Sequence, residues 1–113
     1  MTERLRIHPA GGTWVVRAGG AVIGESEAAL ELLEGEYPPV IYFPREDLGM
    51  AFLDASETTS FCPWKGNARY FHIAGESGAI HDAGWSYEAP KPEAARIAGH
   101  IAFYGDKVTL EQV

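Results

Sequence analysis

The only cysteine of the chain lies in a segment whose side chains could bind or transform a small molecule. Cys62 is followed closely by Trp64, Lys65 and Gly66. A thiol near a cationic side chain is a candidate nucleophile, because positive charge favours the thiolate. A lysine next to a glycine is a candidate anion anchor, because glycine lets the backbone approach a ligand closely. We therefore predict that residues 59–70 form a constrained loop that presents side chains to a ligand.

Each of these candidates also has an ordinary structural explanation. Free cysteine is among the most buried residue types, so Cys62 can equally be a small packed side chain. Lys65 can equally be a solvated loop lysine. Arg45 follows a strand that ends at a proline and is a further candidate for a cleft, with a local ion pair to Asp47 as its alternative. Whether the chain is an enzyme is left open.

A second group of candidates lies on a predicted hairpin. Asn67–Ala74 and Ala79–Tyr87 are rich in β-forming residues and flank a loop at Gly75–Gly78. Counted outward from that loop, His72 lies opposite His81, and alternate residues share a face. The residues predicted to share this face are Tyr70, His72, His81, Ala83, Trp85 and Tyr87.

Rings with hydrogen-bonding groups on one face are typical of a pocket wall. Tyr42, from an earlier strand, could complete a cage for a planar ring or a cation with Tyr70, Trp85 and Tyr87. The alternative is a second core layer in which the polar tips of these rings are satisfied.

The two histidines of this face could also contribute to a metal site. Two imidazoles without a clear third ligand make a weak site, since Asp82 is predicted on the opposite face. A tautomer-matched structural pair of His72 and His81 is therefore favoured. We predict no metal site and no cofactor.

The elements that must position these residues are predicted to be mostly short strands, separated by thirteen glycines and seven prolines. Beyond the hairpin, strands are predicted at Thr13–Arg17, Ala21–Gly24, Val40–Phe43, Met50–Leu53, His100–Tyr104 and Lys107–Glu111, the last two as a closing hairpin. Ser26–Glu36 fits a helix or a strand, and its glutamates (27, 31, 34 and 36) are predicted to form a solvated face. Helix is predicted at Lys91–Gly99, with one turn at Arg45–Leu48. The predicted fold class is mainly β and antiparallel, with one or two short helices.

Composition limits the possible partners. The 113 residues are predicted to form a single domain, 1–113, and the net charge of −7 argues against a nucleic-acid polymer as partner. No apolar run predicts a membrane span or a signal peptide, so we expect a cytoplasmic protein without membrane attachment. One cysteine excludes an internal disulfide and a zinc site of two cysteine pairs. A monomer and a homodimer remain equally open.

Five motifs in a fixed order carry a family resemblance. They are Tyr42-Phe43-Pro44, Asp47, Cys62-Pro63-x-Lys65-Gly66-x-Ala68-x-Tyr70, Trp85-x-Tyr87-x-x-Pro90 and Ile97-x-Gly99-His100-x-Ala102-Phe103-Tyr104. Nearly the whole chain resembles the bacterial family known as domain of unknown function 427. The resemblance implies a tent-like fold of two antiparallel sheets, similar to methionine-R-sulfoxide reductases and to the drug-binding domain of cereblon. Those proteins hold zinc with two cysteine pairs, which a single cysteine does not reproduce, and Phe61 replaces a polar residue, often His, of many relatives.

The function predicted from these observations is that of a small-molecule-binding domain. Its ligand is expected to be planar, anionic or both, such as a nucleobase, a nucleotide or an aromatic acid. The predicted ligand-binding residues are Tyr42, Arg45, Cys62, Lys65, Tyr70, His72, His81, Trp85 and Tyr87. An enzyme that uses Cys62 thiol chemistry and a protein-interaction module are the alternatives.

Overall fold

The computed structural model describes residues 4–113 and consists mainly of strands, with 56% strand and 11% helical residues. The strands are β1 Leu5–Pro9, β2 Trp14–Ala18, β3 Ala21–Ser26, β4 Leu30–Glu34, β5 Val40–Tyr42, β6 Leu53–Cys62, β7 Gly66–Gly75, β8 Gly78–Ser86, β9 Ile101–Phe103 and β10 Thr109–Gln112. Three 3-10 turns occupy Arg45–Asp47, Met50–Phe52 and Pro92–Ile97. The predicted mainly β class is confirmed.

The strands form three antiparallel sheets that do not close into a barrel. Strand orders are β1-β4-β5 in the first sheet, β10-β2-β3 in the second and β6-β7-β8-β9 in the third. Phe43 and Ile101 join the first sheet to the third by exchanging backbone hydrogen bonds of 2.8 and 2.9 Å. Because the resemblance implied two sheets, the separate β10-β2-β3 sheet is an addition that the sequence did not indicate.

Two clusters of buried side chains hold the sheets together. The larger one surrounds Phe43, Ile73 and Ile101, none of which is exposed to solvent. The smaller one contains Leu32 and Ile97 and lies under the first sheet and the last 3-10 turn. Burial of these side chains supplies the main stabilisation of the fold, about 1.5–3 kcal/mol for each large apolar side chain.

The sequence predicted several local elements well. The Gly19–Gly20 turn joins β2 to β3, with positive φ at both glycines, as a tight hairpin requires. The ambiguous segment Ser26–Glu36 contains the strand Leu30–Glu34, because Leu32 is buried between less buried neighbours. Arg45–Asp47 forms the expected single turn.

The segment 59–70, predicted to be a loop, is a β-hairpin instead. Its first part is the end of β6, its last part is the start of β7, and Cys62 pairs with Gly66. The Lys65 backbone N–H donates to the Cys62 carbonyl at 3.2 Å and closes the turn. Gly66 has φ of 109°, a value that favours glycine, so the residue that suggested a loop permits the tight turn.

Two other predictions were wrong in detail. Met50–Phe52 is a 3-10 turn, and the strand predicted there begins only at Leu53. The expected helix at Lys91–Gly99 is a 3-10 turn, Pro92–Ile97, that is interrupted at Ala94. Ala94 and Ile97 are buried in the smaller cluster, so packing decides this geometry over helix propensity.

The closing hairpin does not form either, because its two strands belong to different sheets. Strand β9 pairs with β8, whereas β10 pairs with β2. The turn after Phe103 folds back on itself, with the N–H groups of Lys107 and Val108 donating to the Tyr104 carbonyl. Val108 is then buried against the larger cluster, which carries the chain over to the second sheet. Strand β1 was not predicted. Within residues 4–113, no helix is long and apolar enough to cross a membrane.

Candidate functional site

A cavity of about 210 Å³ opens between the first and third sheets and is walled mostly by aromatic side chains. We call it the aromatic cavity. Its lining residues are Leu32, Glu34, Tyr37, Pro38, Val40, Tyr42, Lys65, Tyr70, Trp85, Tyr87 and Tyr104. Six of these eleven residues carry aromatic rings, and two carry opposite charges. Five of the residues predicted from the sequence are among them: Tyr42, Lys65, Tyr70, Trp85 and Tyr87.

The pairing of β7 with β8 brings two of the rings together. Tyr70 lies directly opposite Trp85, although the count from the loop predicted Ala83 as its partner. The predicted strand pairing is correct from the loop to the pair Ile73 and Ile80, and the register then shifts. Three residues, His81, Asp82 and Ala83, stand opposite the single residue His72. Asp82 has φ of 47°, and this bulge moves Ala83 into the larger cluster.

Contacts between the rings fix the shape of the cavity. The Trp85 ring meets Tyr104 at a centroid distance of 4.6 Å and Tyr42 edge-on at 6.3 Å. Tyr70 and Tyr104 stack with their centroids 6.5 Å apart. Aromatic pairs prefer such offset and edge arrangements, so these contacts favour one arrangement of the rings.

The two charged residues of the cavity form an ion pair with each other. The Lys65 ammonium donates a hydrogen bond to Glu34, and the two side chains are only 12% and 14% exposed. The ammonium also lies 5.7 Å from the centre of the Tyr87 ring, and Arg4 approaches the other Glu34 oxygen at 3.5 Å. Lys65 is therefore not a solvated loop lysine. Glu34 does not belong to a solvated acidic face, because β4 turns its carboxylate toward the hairpin turn before Gly66.

Hydrogen bonds and burial determine the state of the hydroxyl groups. The Trp85 indole N–H donates to the Tyr42 hydroxyl at 3.2 Å. Burial raises the pKa of Tyr42 and of Tyr87 well above the usual range of a phenol. Both groups are thus neutral at physiological pH and keep a hydrogen to donate. Within residues 4–113, the Tyr87 hydroxyl has no protein partner among the side-chain hydrogen bonds of the structure.

Three further hydroxyl groups lie at the open side of the aromatic cavity. Tyr104 donates to the Tyr70 hydroxyl at 3.5 Å, and the Tyr70 and Ser60 hydroxyls are 2.9 Å apart. Burial, together with the hydrogen bond to Tyr70, raises the pKa of Tyr104 to about 12. This side of the cavity therefore presents the neutral Tyr104 hydroxyl, which is hydrogen-bonded to Tyr70.

Arg45 lies outside the aromatic cavity, and its side chain is hydrogen-bonded to other parts of the fold. It donates to the Gly99 carbonyl at 2.6 Å, contacts the Ser86 hydroxyl at 3.3 Å and pairs with Glu88 at 2.5 Å. The expected alternative, a pair with Asp47, does not form, because Asp47 accepts a hydrogen bond from Ser26 at 2.6 Å. Arg45 therefore ties the first 3-10 turn to the end of β8.

His72 and His81 also lie outside the cavity, at the bulge. Their rings meet edge-on with centroids 4.9 Å apart, as their predicted common face requires. The His72 Nδ1 atom accepts the Asp82 backbone N–H at 3.0 Å, which holds the ring against the bulge. The Asp82 carboxylate, predicted on the opposite face, lies 3.6 Å from the same atom because of the bulge. Among the described residues, no group of three or more His, Cys, Asp or Glu side chains is arranged to hold a metal ion.

Cys62 ends β6 and packs, partly buried, against the smaller cluster. It does not line the aromatic cavity. Its neighbours on the turn are more exposed: Phe61 is 61% and Trp64 is 46% exposed. Lys91 lies over the Phe61 ring at 5.5 Å and Arg4 over the Trp64 ring at 5.1 Å.

Sequence reasoning missed four important lining residues. Tyr37 and Pro38 belong to the connection between β4 and β5, for which the sequence predicted no element and no role. Tyr104 follows β9, and the predicted closing hairpin assigned it no role. Glu34 carried a usable signal, because a strand assignment places it at the end of β4 on the same side as Leu32, which is buried.

The model of a family described as a domain of unknown function, DUF427, matches residues 6–113. The chain belongs to the DUF427 family. This confirms the family resemblance that the five sequence motifs indicated. No curated protein matches this DUF427 domain.

Proposed function

We propose that this DUF427 domain binds a small, uncharged planar ring that carries an N–H group beside a carbonyl, as nucleobases do. The observation that carries the proposal is the composition of the aromatic cavity, in which six rings surround a charged pair, the acceptor Glu34 and the donor Lys65. Rings select a flat partner, and the paired donor and acceptor select its edge.

The volume of the cavity favours a single ring. About 210 Å³ is small among ligand pockets, which commonly enclose roughly 300–1,000 Å³. A pyrimidine-sized ring can stack on Trp85 or Tyr70 in such a space, whereas a whole nucleotide exceeds it. Stacking of a base on an aromatic side chain contributes about 1–3 kcal/mol.

The charges favour a neutral ligand over an anion. The Lys65 ammonium is already neutralised by Glu34, so it offers a hydrogen bond and little net positive charge. Arg4 adds a positive charge, but its side chain is 43% exposed and is screened by water. Of the ligands expected from the sequence, the nucleobase class is therefore favoured over nucleotides and aromatic acids.

In the proposed complex each polar group has a defined role. Glu34 accepts the N–H of the ring, which a carboxylate does better than a neutral acceptor. Lys65 and the hydroxyls of Tyr42 and Tyr87 donate to the adjacent carbonyl. The raised pKa of both phenols supports this role, because only a neutral phenol can donate.

No specific observation supports either alternative function, the enzyme that uses Cys62 or the protein-interaction module. Cys62 lies outside the cavity, and no base that could activate it as a nucleophile is hydrogen-bonded to it among residues 4–113. The exposed rings of Phe61 and Trp64 are covered in part by Lys91 and Arg4. As part of the proposal, the domain works in the cytoplasm, a reducing compartment with which the free thiol is compatible.

The test is calorimetric titration with two matched probes, 1-methyluracil and 1,3-dimethyluracil. They share one flat ring, but only the first keeps an N–H beside its carbonyls. We expect the first to bind and the second to bind at least tenfold more weakly, because Glu34 would lose its donor. Trp85→Leu should weaken 1-methyluracil binding by roughly tenfold, whereas Phe61→Leu should not change it. Equal binding of both probes, or no binding of either, would refute the proposal.

A further inference from the structure

We infer that the natural ligand is a ring with an uncharged apolar substituent, and that the substituent lies in a second space beside the aromatic cavity. We call this space the side groove. It has a volume of about 550 Å³ and is bordered on its far side by Pro39, Ile41, Phe103, Gly105 and Leu110. This substituent site rests on the proposed function, because it holds the part of the ligand that extends beyond the ring.

The side groove is contiguous with the aromatic cavity. Six residues line both spaces: Glu34, Tyr37, Pro38, Val40, Trp85 and Tyr104. The Trp85 and Tyr104 rings, 4.6 Å apart, form a common wall. A group attached to a ring in the cavity can therefore continue along this wall into the groove.

The chemistry of the groove favours a hydrocarbon. Ile41 and Phe103 are almost fully buried and supply an apolar floor, and Leu110 of the second sheet forms the opposite side. Each methylene that such a surface removes from water strengthens binding by about fourfold. A substituent in the groove thus adds apolar contact area that a single ring in the small cavity does not provide.

The same groove disfavours a phosphate or a carboxylate. Among the described residues that line it, none is Lys, Arg or His, and Glu34 is the only charged one. These lining residues therefore offer no cation of their own to an anionic substituent, and the net charge of −7 repels one. The ligand class is therefore a substituted nucleobase-like ring without a phosphate, rather than a nucleotide.

The first experiment is a calorimetric comparison of 1-methyluracil, 1-butyluracil and 1-(3-carboxypropyl)uracil with the unmodified protein. The butyl probe should bind at least tenfold more tightly than the methyl probe, because its extra methylenes enter the groove. The carboxypropyl probe, of similar length, should bind no more tightly than the methyl probe. If methyl and butyl probes bind equally, the substituent site is refuted while the proposed ring site stands. If no probe binds, both are refuted.

The second experiment places a cation in the groove with Leu110→Arg. This change should strengthen binding of the carboxypropyl probe by several fold and weaken binding of the butyl probe. Val22→Arg is the matched control, since Val22 is 48% exposed on β3 and lines neither space. The control should leave the order of the three probes unchanged. An unchanged order in Leu110→Arg as well, with the fold intact by circular dichroism, would contradict a substituent in the groove.

Discussion

Replacing Lys65 by Met tests whether the ion pair in the aromatic cavity is built into the fold. The side chains of Lys65 and Glu34 are 12% and 14% exposed, so the pair lies near the buried limit. Loss of one partner of a fully buried pair costs about 3–5 kcal/mol, and loss of an exposed pair costs about 0–1 kcal/mol. Because Arg4 still approaches Glu34 at 3.5 Å, we expect an intermediate destabilisation, about 2 kcal/mol.

This energy corresponds to a measurable change in melting temperature. A domain of 113 residues has an unfolding entropy of about 240 cal/mol/K, so Lys65→Met should lower Tm by roughly 8 °C. Lys91→Met is the control, because the Lys91 side chain is exposed, lies over the Phe61 ring at 5.5 Å and does not line the aromatic cavity. The control should lower Tm by no more than about 2 °C.

A double-mutant cycle separates the ion pair from other effects of the substitution. Glu34→Gln removes the unpaired charge that Lys65→Met leaves behind, so the double variant should be more stable than the sum of the single effects predicts. We expect a coupling energy of about 1–2 kcal/mol, measured by urea denaturation. Additive single effects, or a Tm for Lys65→Met equal to that of Lys91→Met, would show that the pair does not form as described.

Three further predictions concern titration and reactivity. Tyr42, Tyr87 and Tyr104 have raised pKa values, so on alkaline titration their tyrosinate absorbance should develop above pH 10. The stability that these three residues contribute below pH 10 should be lost as pH rises toward 12. Ionisation of these three phenols at or below pH 10 would contradict this. Hydrogen bonds from hydroxyl groups lower the pKa of Asp82 below 3.8, so Asp82→Asn should destabilise the protein at neutral pH. The difference in unfolding free energy from wild type should shrink as pH falls below 3.8. A difference that is constant from pH 7 to pH 2 would exclude the effect. Cys62 is partly buried, so iodoacetamide should alkylate it no faster than a model peptide thiol, and faster reaction would favour thiol chemistry.

The parts of the site that the sequence predicted are those set by strand alternation. Trp85 and Tyr87 lie two residues apart at the end of β8, and both line the cavity as alternation requires. Tyr70 joins them even though the bulge shifts its partner, because the shift of two residues keeps Tyr70 and Trp85 on one face. His72 and His81 lie at the bulge and do not line the cavity.

The parts that the sequence did not predict depend on contacts between distant elements. Glu34 and Lys65 are 31 residues apart, and neither residue alone indicates an ion pair. Tyr104 lines the cavity only because β9 pairs with β8 while β10 leaves for the second sheet. Local patterns around Gly105 favoured a hairpin, and burial of Val108 against the larger cluster outweighs that preference.

The most direct test of ring binding is the nuclear magnetic resonance signal of the Trp85 indole N–H during titration with 1-methyluracil. This N–H donates to the Tyr42 hydroxyl at 3.2 Å inside the aromatic cavity, and Trp85→Phe assigns its resonance. We expect a saturable shift of this resonance, with little change at the indoles of Trp14 and Trp64, which do not line the cavity. If the Trp85 resonance stays in place at saturating probe, or if all three indoles shift alike, the aromatic cavity is not the binding site.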